Sequence, residues 1–325
     1  MVIVDPESIK SKEVIHWNGI HLFHAWFSSC SQKVRLFLRL KNISWTSHVI
    51  NLREQENQSD WYLGINPKGL VPCLIHDGVV HIESNDIMAY LEQVFTDPPL
   101  LPPNDDSRNL IQGLQAENSL HMELRTLTFA FLAPKKFKSM EVFQKYKDVN
   151  SACPCSSQKR KEIDFYSRYL SEGISKDQIY SAYIAWNKQF EELNKALEDR
   201  ITVVAERQVY MAGSAISLVD IAWFVNCDRL IKCGYPLSDH PALFAWYSRL
   251  VQLESFQKET ILPLPLKKKA QRLRIKQTLL RQTMKDVVRQ KQKPGKKSRE
   301  KSKEKSKVVP QVILVSQSKN PNHDI

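Results

Sequence analysis

The residues whose types and spacing could do chemistry form three short groups: Ser28-Ser29-Cys30-Ser31, Val71-Pro72 and Glu83-Ser84. The first group lies where a short apolar run gives way to a charged, apolar-periodic segment, the junction of a strand and a helix. Open backbone N–H groups and the helix dipole favour an anion at such a point, a thiolate included. A hydroxyl or thiol there can hydrogen-bond a bound thiolate, or Cys30 can itself become the reactive thiolate. The same four residues also suffice as an ordinary helix cap. Val71-Pro72 follows the turn Asn66-Pro67-Lys68-Gly69 and opens an extended segment, a setting that admits a cis peptide. A cis bond would turn the Val71 N–H and C=O outward, to pair in strand fashion with a peptide-like ligand. Ser84 and its N–H suit a ligand carboxylate, and Glu83 suits an α-ammonium group. Each group alone is common turn or cap chemistry; their order along the chain carries the weight.

The elements that must position these residues follow from local pattern. Residues 20–26 are short and mostly apolar, as an interior strand is. Val34, Leu36, Phe37, Leu38 and Leu40 alternate with cations over about three helical turns. Residues 45–50 read as a second strand, and a parallel pair needs such a crossover. Residues 73–76 and 79–82 flank Asp77-Gly78, a two-residue hairpin signal. A helix follows with Ile87, Met88, Leu91, Val94 and Phe95 on one face. The predicted order is β-α-β followed by β-β-α. The expected divisions are an N-terminal arm over 1–18, a mixed α/β domain over 19–96, a proline-rich linker over 97–104, an all-helical domain over 105–262 and a basic tail over 263–325.

In the helical part, residues 110–131 form one long periodic stretch. Ile179, Tyr183, Trp186, Phe190, Leu193 and Leu197 line one face. Ser217-Leu218-Val219-Asp220 reads as a capping arrangement. Two further short helices are expected over 241–250 and 254–258. Residues 135–161 read as an insertion loop. In the tail, Leu280, Met284 and Val287 share a face of a basic helix over 269–291, and 293–307 is a charge run that is disordered when alone.

Composition narrows the class. The chain has 325 residues, 42% of them hydrophobic and 25% charged, enough for a sizeable core divided between two domains. The longest strongly apolar run covers only 127–133, far short of the ~20 residues that span a bilayer. The first twelve residues are too polar and acidic for a targeting peptide. Six cysteines without a framework spacing fit reduced thiols in a cytoplasmic setting. The net charge of +12 is unevenly placed: residues 267–325 carry 19 Lys/Arg against 4 Asp/Glu, whereas the preceding residues carry 28 against 31. An argument from charge for polyanion binding therefore applies to the tail alone, through residues 267–307. Metal chemistry is not expected. His21 and His24 point to opposite faces of one strand, and Cys153-Pro154-Cys155 lacks a companion pair.

Residues about 20–262 resemble the cytosolic glutathione transferase family. Asn66-Pro67-Lys68-Gly69-Leu70-Val71-Pro72 and Glu83-Ser84 match its glutathione-site pattern. Tyr210-Met211-Ala212-Gly213, followed by Ser217-Leu218-Val219-Asp220, matches its helical-domain hallmark. The resemblance implies a thioredoxin-like N-terminal domain, an all-α C-terminal domain, glutathione as co-substrate and a homodimer. It also implies glutathione binding through Ser28, Val71, Pro72, Glu83 and Ser84. The run Ser28-Ser29-Cys30-Ser31-Gln32-Lys33-Val34-Arg35 looks most like the zeta class, which includes maleylacetoacetate isomerase, and like the tetrachlorohydroquinone reductive dehalogenases. In that pattern the residue at Ser28 assists the glutathione thiol, and the residue at Cys30 forms a mixed disulfide with glutathione. Glu83 stands where zeta enzymes usually have Gln, and they lack both the insertion and the basic tail.

Two functional readings follow. One is an enzyme that presents a glutathione thiolate to an electrophilic small molecule for conjugation, isomerisation or reductive dehalogenation. The other is a docking module of the same fold whose basic tail meets RNA, ribosomes or anionic membrane. A docking module has no need of Ser28, Cys30, Val71-Pro72 and Glu83-Ser84 together, so the enzyme is the favoured reading.

Overall fold

The computed structural model describes residues 2–101, 107–133, 157–204, 209–262 and 264–292, together with Gln144. Cys153-Pro154-Cys155, most of the expected insertion loop and the charge run 293–307 lie outside the described residues. Met1–Val288 form one compact unit. The second unit runs from Arg289 to Ile325, and only its first four residues are described, as helix.

The mixed domain is a five-stranded sheet in the order β1-β5-β4-β2-β3, with β1 (Val2–Ile3), β2 (Ile20–His24), β3 (Thr46–Val49), β4 (Cys73–His76) and β5 (Val79–Ile82). β2 and β3 run parallel, joined through α1 (Ser29–Leu40), and the other pairings are antiparallel. In the β4–β5 hairpin Asp77 and Gly78 both take positive φ, 47° and 79°, as a type I′ turn requires. A Cβ on Gly78 would stand 2.2 Å from the Ile15 carbonyl oxygen, so glycine is required there for space as well as for conformation.

Strand alternation divides the core into two layers. Leu22 and Leu74 point toward α1 and α3 (Ser84–Val94), where Val34, Phe37, Leu38, Ile87, Met88 and Leu91 cover them. Phe23, Cys73, Ile75, Val80 and Ile82 point the other way. Tyr62 on the short α2 (Asp60–Leu63) covers that face together with Val4, Ile9 and Val14. The first 18 residues are therefore no loose arm. They add an edge strand to β5 and close a sheet face that would otherwise expose apolar side chains to water.

The helical domain comprises α4 (Ser107–Ser119), α5 (His121–Phe131), α6 (Ser157–Glu172), α7 (Lys176–Val204), α8 (Leu218–Cys233), α9 (Pro241–Leu250) and α10 (Glu254–Thr260). The single stretch expected over 110–131 is broken at Leu120 (φ −92°, ψ 12°), and α6 begins inside the segment expected as loop. α8 is the central helix. Ile221, Ala222, Trp223, Phe224, Val225, Cys227 and Leu230 are all buried, in a core cluster continuous with the α1–α3 layer for most of them. The expected capping pair starts it. The Asp220 carboxylate accepts from the Ser217 N–H (2.9 Å) and hydroxyl (2.6 Å), and also from the Met211 N–H and Trp246 Nε1–H, both at 2.8 Å. The described part of the linker is tied down as well: Leu100 N–H donates to Glu92 (2.8 Å), and its carbonyl accepts from Leu218 N–H (3.0 Å).

The basic tail begins differently from expectation. Residues 264–292 fold as two helices, α11 (Leu264–Leu279) and α12 (Met284–Gln292). Met284, Val287 and Val288 are buried in the main core cluster, and Gln277 Nε2 donates to the Phe131 carbonyl at 3.1 Å. Leu280, expected on the same face as Met284 and Val287, lies exposed in the turn between the helices. The sequence from 264 to 292 is thus part of the folded unit up to Val288, because its few apolar residues have a core to join.

Truncating Met284 should show this energetically. Met284→Ala should lower unfolding free energy by about 2–5 kcal/mol, while Leu279→Ala, at an exposed position, should stay within about 0.5 kcal/mol. Urea unfolding of both variants measures the contrast; equal small effects would contradict the buried assignment.

Candidate functional site

β2 delivers the chain to residues 25–28, and α1 starts immediately after. Ser28 caps that helix: its backbone is extended and its Oγ accepts from the Ser31 N–H at 3.2 Å. The Ser28 hydroxyl also donates across to the Val71 carbonyl at 3.5 Å, so the first two sequence-predicted groups meet. Ser31 Oγ accepts from the buried Ala25 N–H at 3.3 Å and holds the loop from inside. Arg229 on α8 fixes it from the helical domain, its Nη2 donating to the Phe27 carbonyl (2.6 Å) and Gln32 Oε1 (3.0 Å).

The Val71–Pro72 peptide is cis. The turn before it is held by hydrogen bonds to the Leu70 carbonyl from the Tyr62 hydroxyl (2.6 Å) and Asn66 Nδ2 (2.8 Å). Glu83 stands between β5 and α3 with φ +69° and ψ 114°, a conformation that is unusual for a residue with a Cβ and is found where the surrounding structure imposes it. Its carboxylate pairs with Lys68 Nζ at 2.6 Å. Ser84, the first residue of α3, is buried.

A buried lysine brings the two helix starts together. Lys33 Nζ lies 2.9 Å from Asn85 Oδ1, next to Ser84, and 3.0 Å from Glu117 Oε2 on α4. Glu117 also accepts from Asn226 on α8 (2.8 Å) and Asn85 (3.3 Å). The N-terminal turns of α1 and α3 thus sit side by side, and both present open N–H groups and positive dipole ends.

Ser28 and Cys30 face different neighbours. Ser28 addresses Val71 on the sheet side, whereas the Cys30 thiol interacts with His121, Lys33 and Glu117 on the helical side. Burial raises the pKa of the thiol and so does Glu117. The hydrogen-bonded His121 imidazole and the Lys33 ammonium outweigh both, and it titrates at about 7. The other described thiols are pushed the opposite way by burial: Cys73 and Cys227 upward, and Cys233 to about 12.

Several residues of the site were not anticipated. Lys68 lies inside a motif already singled out, and its charge was the available signal. Lys33 likewise lies inside the quoted 28–35 run, whereas Glu117, His121 and Arg229 had no such signal and act through tertiary approach. Arg125 on α5 pairs with Glu162 at 3.1 Å and lies over the Tyr166 ring. His21 and His24 do diverge, to His48 (3.0 Å) and Ser47 (2.7 Å) respectively. Among the described residues no group of three or more His, Cys, Asp or Glu is placed to hold a metal ion.

Comparison with known proteins agrees with this architecture. Residues 27–94 match the glutathione S-transferase N-terminal domain family, and residues 175–249 match the glutathione S-transferase C-terminal domain family. The chain is 33% identical over 108 residues to glutathione S-transferase 1 of Dianthus caryophyllus, covering 33% of this chain and 48% of that protein. It is 40% identical over 87 residues to a probable maleylacetoacetate isomerase of Caenorhabditis elegans, covering 27% and 40%. The aligned part thus spans about half the length of the curated relatives, or less. The fold is that of the β-etherase LigF from Sphingobium sp. strain SYK-6, with a TM-score of 0.58 at 23% identity over 74% of this chain and 98% of that one. The two glutathione S-transferase matches come in the order N-terminal then C-terminal, the first on the mixed sheet domain and the second on the helical one. The chain is also 32% identical over 108 residues to a zeta-class glutathione S-transferase of Euphorbia esula, covering 33% of this chain and 47% of that protein.

The electrostatics of the site predict a selective thiol. Among the four described cysteines, alkylation of the native protein by iodoacetamide should fall on Cys30, with a rate that rises with pH through a midpoint near 7. His121→Asn should move that midpoint upward, because it removes a group that favours the thiolate. Peptide mapping by mass spectrometry checks both; labelling of Cys73, Cys227 or Cys233 ahead of Cys30 would contradict the assignment.

Proposed function

We propose that the protein is a glutathione-dependent enzyme that presents the bound glutathione thiolate to an electrophilic small molecule. The observation that carries this reading is the meeting of two helix N-termini, α1 and α3, beside the Val71 strand start. A tripeptide with a carboxylate and an ammonium at one end and a thiol in the middle fits the donors and acceptors gathered there. The Ser84 hydroxyl and the open N–H groups of α3 suit its α-carboxylate. Glu83 suits its α-ammonium, and the Val71 backbone suits its central peptide unit. In this reading the Ser28 hydroxyl turns from the Val71 carbonyl to donate to the thiolate, lowering its pKa and keeping it nucleophilic.

The chemistry divides between two side chains. In conjugation or isomerisation the glutathione sulfur bonds to an electrophilic carbon, and the Ser28 hydroxyl stabilises the thiolate before attack. Cys30 serves a reductive branch: its thiolate attacks the sulfur of a glutathione–substrate conjugate, an S–S bond to glutathione forms as the S–C bond breaks, and the electron pair leaves with the substrate carbon, which takes up a proton. The helical domain supplies the apolar side of the electrophile's pocket. Four described cysteines are free thiols, in keeping with a reducing, cytoplasmic setting, and a homodimer belongs to the same reading.

Isothermal titration with glutathione tests the site. Glu83→Ala should weaken binding by about 10- to 150-fold, or roughly 1.5–3 kcal/mol, the cost of losing a charged hydrogen-bond partner. Ser28→Ala should keep most of the affinity and lose conjugation rate with an electrophile such as 1-chloro-2,4-dinitrobenzene. Unchanged affinity in a folded Glu83→Ala protein would sink the proposed site. Tight binding without turnover across a panel of electrophiles would favour the docking module.

A further inference from the structure

Among the described residues, the four most exposed large hydrophobic side chains are Leu279 (78%), Leu264 (71%), Ile261 (69%) and Ile275 (61%). All four fall on α11 or immediately before it. At about 100° per residue, Leu264, Lys268, Arg272, Ile275 and Leu279 lie within roughly 80° of one another around that helix. Its opposite side is occupied: Ala270, Leu273 and Gln277 are half-buried, and Gln277 bonds to the end of α5. The exposed aliphatic stripe is therefore the outward face of a docked helix.

Charge defines what could cover it. Residues 264–282 contain seven cations (Lys267, Lys268, Lys269, Arg272, Arg274, Lys276 and Arg281) and no Asp or Glu, and all seven are exposed. Between 293 and 307 the sequence adds eight more against two acidic residues. The outward arc mixes Leu264, Ile275 and Leu279 with Lys268 and Arg272, and Lys267, Arg274, Lys269 and Lys276 flank it, so short aliphatic side chains and long cationic ones that can reach past them to phosphates share one surface. A second copy of this chain would bring like charges together. RNA would satisfy the cations but would leave Leu264, Ile275 and Leu279 in water, with no gain from their exposure.

We propose that the outer face of α11 docks on an anionic lipid bilayer. Leu264, Ile275 and Leu279 enter the boundary between headgroups and acyl chains, and the flanking Lys and Arg side chains meet the lipid phosphates. Met284 and Val287 take no part in this surface, because they are inside the core. It is also independent of the glutathione site, so either proposal can fail without the other.

The test uses the full chain and sedimentation with phosphatidylcholine vesicles prepared with and without phosphatidylserine. The wild-type protein should bind only the vesicles containing phosphatidylserine, and part of that binding should survive high salt. Ile275→Ser/Leu279→Ser should weaken vesicle binding roughly tenfold or more, with thermal stability unchanged because both positions are exposed. The same double variant should bind a polyuridine RNA no differently from wild type. Equal vesicle binding by the double variant and the wild type would overturn the proposal, since charge alone would then account for it. Absence of vesicle binding, or a loss of RNA binding that matches the loss of vesicle binding, would overturn it as well.

Discussion

The arrangement of the site depends on one buried ion pair, Lys33 with Glu117. Both side chains are almost wholly withdrawn from water, at 3% and 4% exposure, and burying two charges is costly unless the geometry repays it. Here it does: each charge has the other as partner, and Asn85 and Asn226 supply further hydrogen bonds. Burial opposes ionisation of both groups. Mutual attraction wins, so the Lys33 ammonium titrates above its ordinary range and the Glu117 carboxyl below. The sign of the pH dependence follows. Glu117's contribution to stability is present above its unfolded pKa and is lost as pH falls into the acid range. That of Lys33 is present below its unfolded pKa and is lost as pH rises through the folded value. The pair is intact at neutral pH, where the Cys30 thiol titrates beside it.

A second set of polar contacts closes the same interface from the other side of α1. Arg35 meets Glu259 on α10 at 2.7 Å, Arg39 joins at 3.1 Å, and Gln32 donates to the Glu259 carbonyl at 2.9 Å. Arg35 Nη1 also lies 3.1 Å from Nδ1 of the buried His24, whose pKa is lowered to about 4 by burial and by the neighbouring cation. His24 is therefore neutral at pH 7. α1 is clamped along its length by groups from the helical domain, and residues 25–28 at its head are clamped with it. That is how a loop and a helix start can hold a cap hydroxyl and a reactive thiol in fixed, different directions.

Much of this was legible in the sequence where short-range rules govern. Asp77-Gly78 announced its hairpin and with it the flanking β4 and β5, and Ser28 and Ser217 marked helix starts. Long-range partners decided the rest. Val4, Ile9 and Val14 look like scattered apolar residues in a polar arm until the uncovered face of the sheet is known. Val94 shares the helical period of Ile87 and Leu91 yet stays 46% exposed at the end of α3, beyond the reach of the core. Met284 and Val287 carry the same pattern as a surface helix would, and only the available core shows that they face inward. The site divided in the same way. The groups on turns and caps were readable, whereas Lys33, Glu117 and His121 acquire their roles by approach across the domain interface.

The most direct measurement of this account is a double-mutant cycle on Lys33→Met and Glu117→Gln, read by urea unfolding at pH 7. If the buried pair fastens the two domains, each single variant leaves its partner's charge unpaired and loses about 3–5 kcal/mol. The double variant, with neither charge left to bury, should then lose clearly less than the sum, with a coupling of roughly 2 kcal/mol or more. Additive losses, or single variants as stable as the wild type, would contradict it.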